Sequence, residues 1–307
     1  MKVLIITLMC SGLIAITLTQ DNAPQADEAN PLSHPPTSQF SDYWDQGLAE
    51  ITTYDLQQER YGEIHPGSAN TIFVTEPFSQ SKQVKLDYPS RTPKDNIPVL
   101  KLNMTRKFYT GVYPYSTMLS IFTPQDLKAN PHSTKAVLSA QEWCGQSYSQ
   151  LNLKGDNYNL EQRSYFEAHG DKTLRLDKAI LEDEIWSTIR INPERLPQGI
   201  VQVIPSLFYT QLSHQAPNAV RATGTLEHKG EKSTYTLYYP KYDRTLTIHF
   251  ASEFPYYIES WEEEAYSIGG DSKKMKTTAT VKARKMLDYW SKHDLEDAPL
   301  RKELGLD

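Results

Sequence analysis

Cysteine is scarce in this chain of 307 residues, which carries only Cys10 and Cys144. If the apolar N-terminal run that contains Cys10 is removed as a leader, Cys144 is the only cysteine left. No intramolecular disulfide is then available, so the fold depends on its core. Dithiol redox chemistry needs a second, resolving cysteine three positions on, and that position is Ser147. Cys144 is therefore predicted to be a structural residue on a strand, with an odd reactive thiol as the alternative.

The sequence also lacks an excess of positive charge and a second long apolar run. The net charge is -6 at pH 7, and nucleic-acid binding proteins need a basic surface for the phosphates, so the composition argues against nucleic acid as a partner. Beyond the N-terminal run, no segment is long and apolar enough to span a membrane, so no transmembrane segment is expected in the mature chain. Gly-x-Ser-x-Gly, Walker and Gly-rich dinucleotide motifs are absent as well, and the sequence predicts no metal and no cofactor.

The first 40 residues predict export. Lys2 precedes an apolar run from Val3 to Leu18, which predicts a signal peptide over residues 1–19. Lipid anchoring through Cys10 and retention as an uncleaved anchor are alternatives to cleavage. Residues 20–40 are rich in Pro, Asn, Asp, Gln and Ser, and they predict a disordered tether. The expected location is the periplasm or the cell envelope.

The rest of the chain, residues 41–307, alternates apolar and polar residues with period two. In 233–239 and 244–251, Tyr235, Leu237 and Tyr239 share one face of a strand, as do Leu246, Ile248 and Phe250 of the next strand. Helical spacing occurs mainly over residues 179–191. These patterns predict a mainly β fold, an antiparallel curved sheet or open barrel or sandwich with one mid-chain helix, either as one domain or as two sub-domains around that helix.

The segments at 49–78, 97–122, 139–152 and 233–259 resemble a family of exported or lipid-anchored bacterial proteins whose members often carry the name "septum formation inhibitor Maf". The resemblance implies an envelope protein and supplies no catalytic residues. True Maf proteins are nucleotide pyrophosphatases with a Ser-x-Ser-Pro-Arg-Arg motif. This chain has no such motif, and residues 88–93 are the nearest match, so septum inhibition is suggested by the family name alone.

Aromatic residues form the candidate ligand-binding set. Nineteen tyrosines outnumber nine phenylalanines, and tyrosine suits half-exposed strands and contact surfaces. On a curved sheet, inward aromatics could line an apolar trough for a lipid or acyl chain, or for a segment of an envelope protein; the alternative is that they are core and cross-strand pairs. The candidates are Tyr113, Tyr115, Trp143, Tyr239, Tyr256 and Trp261.

No catalytic residues are assigned, and the sequence favours a non-enzymatic binding protein. The alternative is a hydrolase-type enzyme assembled from several strands, with Glu59, Arg106, Glu142 and His169 as its polar contributors. An acidic stretch, residues 262–264, is predicted to be a solvated strand end, with a cation site as the alternative. An apolar trough would support binding, whereas paired buried carboxylates or histidines in a cleft would support catalysis.

Overall fold

The computed structural model describes residues 37–167, 169–267 and 273–306. The predicted signal peptide, Cys10 and residues 20–36 of the predicted tether lie outside the described residues. The folded part begins earlier than predicted, because helix α1 spans Ser38–Trp44 and buries Phe40 and Trp44 against the core. Thr37 accepts a hydrogen bond from the Phe40 N–H and so caps this helix.

The described residues form fifteen strands and four α-helices. The first eight strands are β1 (Ala49–Arg60), β2 (Glu63–Ser79), β3 (Asn96–Thr110), β4 (Tyr113–Pro124), β5 (Lys135–Glu142), β6 (Gly145–Lys154), β7 (Asn157–Ser164) and β8 (Lys172–Asp177). The other seven are β9 (Ile180–Leu181), β10 (Gly199–Ile204), β11 (Val220–Lys229), β12 (Lys232–Tyr239), β13 (Arg244–Ala251), β14 (Ile258–Tyr266) and β15 (Lys274–Leu287). The remaining helices are α2 (Ile185–Ile191), α3 (Leu207–Ser213) and α4 (Pro299–Glu303).

All fifteen strands belong to one sheet, in the order β8-β7-β6-β5-β4-β3-β2-β1-β15-β14-β13-β12-β11-β10-β9. Neighbours are antiparallel except for β9 and β10, which are parallel. The chain therefore builds one half of the sheet outward from β1 to β8, crosses over, and builds the other half back until β15 pairs with β1. The sheet is open, since β8 and β9 are its two edges, and the predicted mainly β, antiparallel fold class is confirmed.

The sheet is curved around the crossover segment. Glu184 accepts the Ser133 N–H at the start of β5, at 2.6 Å, while Glu182, two residues away, is 2.6 Å from Arg244 on β13. In a flat sheet, β5 and β13 are seven strand spacings apart, or about 34 Å. Two neighbouring side chains reach both places only because the sheet bends.

The crossover corrects the predicted helix at 179–191. Ile180–Leu181 instead forms β9, Glu182–Glu184 forms a 3₁₀ turn, and the α-helix begins at Ile185. The reason is that the three acids of this turn are buried, and each contacts a different part of the fold. Glu182 binds Arg244 of β13, and Asp183 accepts an N–H at the start of α3. Glu184 accepts the Ser133 N–H. These acids therefore make buried tertiary contacts and do not form a solvent-exposed first turn of the helix.

Two further sequence interpretations are corrected. The sequence of residues 199–214 favours a single strand, but the strand ends at Ile204, and α3 follows because Ser206 caps it by accepting the Phe208 N–H at 3.1 Å. Pro77, which from sequence is expected to end its strand, lies within β2 opposite Pro98, and the carbonyls of both prolines accept hydrogen bonds from other residues. Proline has no backbone N–H, and the sheet requires no N–H donor at either of these positions.

Candidate functional site

The candidate site lies at one end of the sheet, which we call the hairpin end. Three tight turns meet there: Tyr61-Gly62 between β1 and β2, Gly111-Val112 between β3 and β4, and Trp143-Cys144 between β5 and β6. Tyr61 and Gly62 both have positive φ, 57° and 82°, as the two-residue turns that suit twisted hairpins require. The turns carry exposed aromatic side chains, with Trp143 70% and Tyr61 47% exposed.

A cavity of about 240 Å³ opens at the hairpin end, and we call it the Tyr113 pocket. Its volume exceeds the roughly 150 Å³ of an engineered apolar cavity that holds a benzene molecule. The walls come from β1, β3, β4, β5, the β7–β8 loop and α3. The lining residues are Arg60, Tyr61, Thr110, Tyr113, Tyr115, Glu142, Cys144, Phe166, Gln211, Leu212 and His214.

Aromatic contacts fix the shape of the Tyr113 pocket. Tyr115 is buried and stacks on Phe108, with ring centroids 4.6 Å apart, and its hydroxyl lies 2.9 Å from that of Tyr61. Tyr113 lies 5.2 Å from Tyr115 and 6.1 Å from Trp143 between ring centroids. Because each ring is held by another, this wall is formed before any ligand arrives.

Tyr113 also ties the β5–β6 turn to the pocket. Its hydroxyl donates to Glu142 at 2.9 Å and accepts the Cys144 N–H at 2.9 Å. Desolvation raises the pKa of the Tyr113 hydroxyl, so this group stays protonated near neutral pH. Cys144 lies in the turn and is exposed, which corrects its predicted place on a strand.

Arg60 forms the pocket wall on the β1 side. It is only 6% exposed, and its guanidinium lies 4.4 Å from the ring centroid of Tyr61. One Nη donates to the Leu212 carbonyl near the end of α3 at 2.8 Å, and the other donates to the Tyr61 hydroxyl at 3.3 Å.

Two histidines flank the same region. The rings of His169 and His214 lie 4.9 Å apart between centroids, and both nitrogens of the buried His169 ring lack a partner among the described residues. Desolvation lowers the pKa of His169 to about 4, with a smaller effect of the His214 charge in the same direction. The ring is therefore neutral above that pH.

The structure brings three of the six predicted ligand-binding residues together, namely Tyr113, Tyr115 and Trp143. The other three are elsewhere. Tyr239 is fully buried and donates to Glu182 at 2.6 Å. Trp261 is fully buried, and Tyr256 packs edge-on against Phe254, outside the hairpin-end pocket.

Helix α2 packs on the inner face of the sheet at Trp261. Trp186 of α2 packs edge-on against Trp261, with centroids 5.1 Å apart, and Tyr54 packs on the same indole at 4.7 Å. The inward aromatics in this part of the sheet are therefore core, which was the alternative interpretation from sequence.

The four residues of the hydrolase alternative are divided between two places. Glu142 lines the Tyr113 pocket and His169 contacts His214 beside it. Glu59 and Arg106 line a different, smaller cavity of about 40 Å³, where Arg106 binds Glu263 at 2.7 Å. The four side chains thus do not line one common cavity.

A buried ionic network connects the two halves of the sheet. Arg244 binds Glu182 through two hydrogen bonds of 2.6 and 2.7 Å and lies 3.3 Å from Glu263, which also binds Arg106. Burial acts to raise the pKa of Glu263, but the two guanidiniums outweigh it and lower that pKa. The prediction of a solvated strand end at residues 262–264 is wrong for Glu263, because its side chain points inward while those of its two neighbours point outward.

Asp183 is a titratable group that sequence reasoning missed. One carboxylate oxygen accepts the Leu207 N–H at 3.0 Å, and the other lacks a partner among the described residues. Desolvation raises the pKa of Asp183 to about 7 and outweighs the hydrogen bonds from Leu207 and Ser206, which lower it; the Glu182 charge raises this pKa and the Arg106 charge lowers it, each by less. An Asp between two Glu residues gave no sign in the sequence that it would be buried.

A second cavity of about 240 Å³ lies beside the start of α2, where Glu184 binds His132 at 3.2 Å. Within residues 37–306 as described, no cluster of three or more His, Cys, Asp or Glu side chains is arranged to hold a metal ion. The same residues contain no helix with the length and apolarity needed to cross a bilayer.

No protein-family model, curated protein or solved structure matches this chain.

Proposed function

We propose that this protein is an exported, envelope-associated binding protein whose Tyr113 pocket accepts a small apolar ligand. The observation that carries the proposal is the aromatic wall of Tyr61, Tyr113 and Tyr115 around a preformed cavity of about 240 Å³. Ligand pockets in proteins are concave, mostly apolar and formed in advance, with a few polar groups that orient the ligand.

The exposed rim supports the same proposal. Trp143 stands beside the pocket with 70% of its surface exposed, and its ring centroid lies 6.1 Å from that of Tyr113, so the indole extends the aromatic wall beyond the pocket. A ligand that extends out of the pocket would pack on this ring.

The proposed location rests on the N-terminal sequence. Lys2 and the apolar run from Val3 to Leu18 have the form of a Sec leader, and the resemblance to an exported bacterial family agrees with export. Fractionation of expressing cells, with the mass of the exported chain measured, tests this part: loss of residues 1–19 is the expected result, and a full-length cytosolic chain would contradict it.

Titration with the neutral, apolar dye N-phenyl-1-naphthylamine tests the binding proposal. We expect saturable fluorescence enhancement with one dye per chain, and Trp143→Ala should weaken dye binding by about 10-fold because it removes an aromatic contact. Trp290→Ala is the matched control, since Trp290 is also exposed, at 51%, but lies outside the pocket. Thr110→Trp should fill the pocket and abolish binding.

Absence of saturable binding in the wild-type protein would refute the proposal. Binding that survives Thr110→Trp and Trp143→Ala unchanged would place the ligand elsewhere and refute the assignment of the pocket.

A further inference from the structure

Arg60 differs from the other buried arginines of the described residues. Arg106, Arg190 and Arg244 each have a carboxylate oxygen within 2.7 Å. No carboxylate of the described residues lies within 4.0 Å of the Arg60 guanidinium, although the residue is 6% exposed. A buried charge is costly unless an opposite charge compensates it, and arginine does not lose its proton in proteins.

The guanidinium is also short of hydrogen-bond partners. It carries five N–H donors. Two of them bind the Leu212 carbonyl and the Tyr61 hydroxyl, and Nε is buried with no partner among the described residues.

The two bonds that Arg60 does make hold the guanidinium in position without neutralising it. The Leu212 carbonyl and the Tyr61 hydroxyl are uncharged acceptors, and the Tyr61 ring, 4.4 Å away, supports the flat face of the group. Arg60 is thus a fixed positive charge with donors to spare, in the wall of the Tyr113 pocket and also of the smaller cavity beside Arg106.

We infer that the Tyr113 pocket takes an anionic amphiphile, whose carboxylate or phosphate head binds Arg60 and whose apolar body packs on Tyr61, Tyr113 and Tyr115. This inference rests on the proposed function and adds the chemical class of the ligand. Both head groups present oxygens that match the planar guanidinium, and such charge-assisted bonds are stronger than neutral ones.

Glu142 is the acidic residue among those that line the pocket, and it bears on the selectivity. One of its oxygens already accepts the Tyr113 hydroxyl at 2.9 Å. Because Glu142 repels an anion, Glu142→Gln should tighten the binding of an anionic amphiphile, whereas a zwitterion that used both charges would bind the variant more weakly.

Isothermal titration of octyl phosphate, octanoate and the neutral octanol tests the inference. We expect the wild-type protein to bind at least one of the two anions about 10-fold more tightly than octanol, and the preferred anion identifies the head group. Arg60→Met should remove the preference, so that the variant binds the anions no more tightly than it binds octanol. Lys107→Met is the control, because it removes one exposed positive charge from β3 near the same end.

Circular dichroism and the unfolding midpoint establish that Arg60→Met is folded. A salt titration of ligand binding to the wild-type protein gives a second readout that needs no variant. Added NaCl should weaken the anions and leave octanol unaffected. Octanol binding without any preference for the anions, or anion binding that survives Arg60→Met, would overturn the inference and leave the proposed function standing. No binding of any of the three compounds would refute both.

Discussion

Arg190 of α2 and Glu50 of β1 form a bidentate ion pair in which both side chains are almost completely buried. The Tyr43 hydroxyl also donates to the Glu50 carboxylate. Burial alone would raise the pKa of Glu50, but Arg190 outweighs it and holds that pKa below its usual value. Since β1 is the central strand where the two halves of the sheet meet, this pair fixes the crossover helix to the middle of the sheet.

Breaking the pair should cost much more than replacing it. Glu50→Gln leaves the Arg190 charge buried without a carboxylate, and we expect the free energy of unfolding to fall by about 3 to 5 kcal/mol. The double variant Glu50→Leu/Arg190→Met should recover more than half of that loss, because neither charge of the buried pair remains, and Arg284 keeps its partner Glu259. Urea unfolding at pH 7.5 measures both.

Glu161→Gln is the control for this comparison, since Glu161 and Arg163 form an exposed pair that solvent screens. It should change the free energy of unfolding little. A double variant that is less stable than Glu50→Gln would show that the pair itself, and not the orphaned charge, determines the effect.

Asp183 should make the protein less stable as the pH rises. The carboxyl ionises with a pKa near 3.8 when unperturbed and near 7 in the fold. Between these values the folded state binds more protons than the unfolded state, so this group lowers the free energy of unfolding from about pH 4 to about pH 7.

Asp183→Asn removes that dependence and keeps an oxygen for the Leu207 N–H. We expect the variant to resemble the wild type at pH 4 and to be more stable at pH 8, by up to about 4 kcal/mol. Urea unfolding at pH 4, 6 and 8 checks this, with the exposed Asp87→Asn as control. Equal pH dependence in wild type and Asp183→Asn would contradict the assignment.

Cys144 should be reactive in the folded protein and should report on the pocket that it lines. In a Cys10→Ser background, we expect a water-soluble aromatic disulfide reagent to modify one thiol without denaturant. The tighter-binding of octyl phosphate and octanoate, at saturation, should slow that reaction by about 10-fold, while the reaction of glutathione under the same conditions stays unchanged. A thiol that reacts only after denaturation would contradict the exposed position of Cys144.

The strand pattern was predictable because burial repeats every second residue. In β12 and β13 the inward positions are those that the alternation predicted, with Tyr235, Leu237, Leu246, Ile248 and Phe250 all buried. The face on which each of these side chains lies can be predicted from local sequence alone, because successive side chains of a pleated strand alternate between its two faces.

The buried charges were not predictable in the same way. Arg106 and Glu263 are 157 positions apart, and they meet only because the sheet curves. Glu263 has the same acidic neighbours in sequence as a solvated strand end, and its inward position depends on two arginines from other strands. The pairing of β1 with β15, which sets this geometry, has no local signal.

The candidate site was predicted in part for a similar reason. Tyr113, Tyr115 and Trp143 lie near two adjacent hairpin turns, so their proximity follows from the order of neighbouring strands. Arg60 was missed as a site residue, because its lack of a carboxylate partner depends on every element that packs around it.

The most direct measurement is a crystal structure of the protein grown with whichever of octyl phosphate and octanoate binds more tightly. We predict electron density for one ligand in the Tyr113 pocket, with head-group oxygens within hydrogen-bond distance of Arg60 and the chain against Tyr113 and Tyr115. Density in the cavity beside His132, or an empty Tyr113 pocket at saturating ligand, would contradict the assignment of this pocket as the binding site.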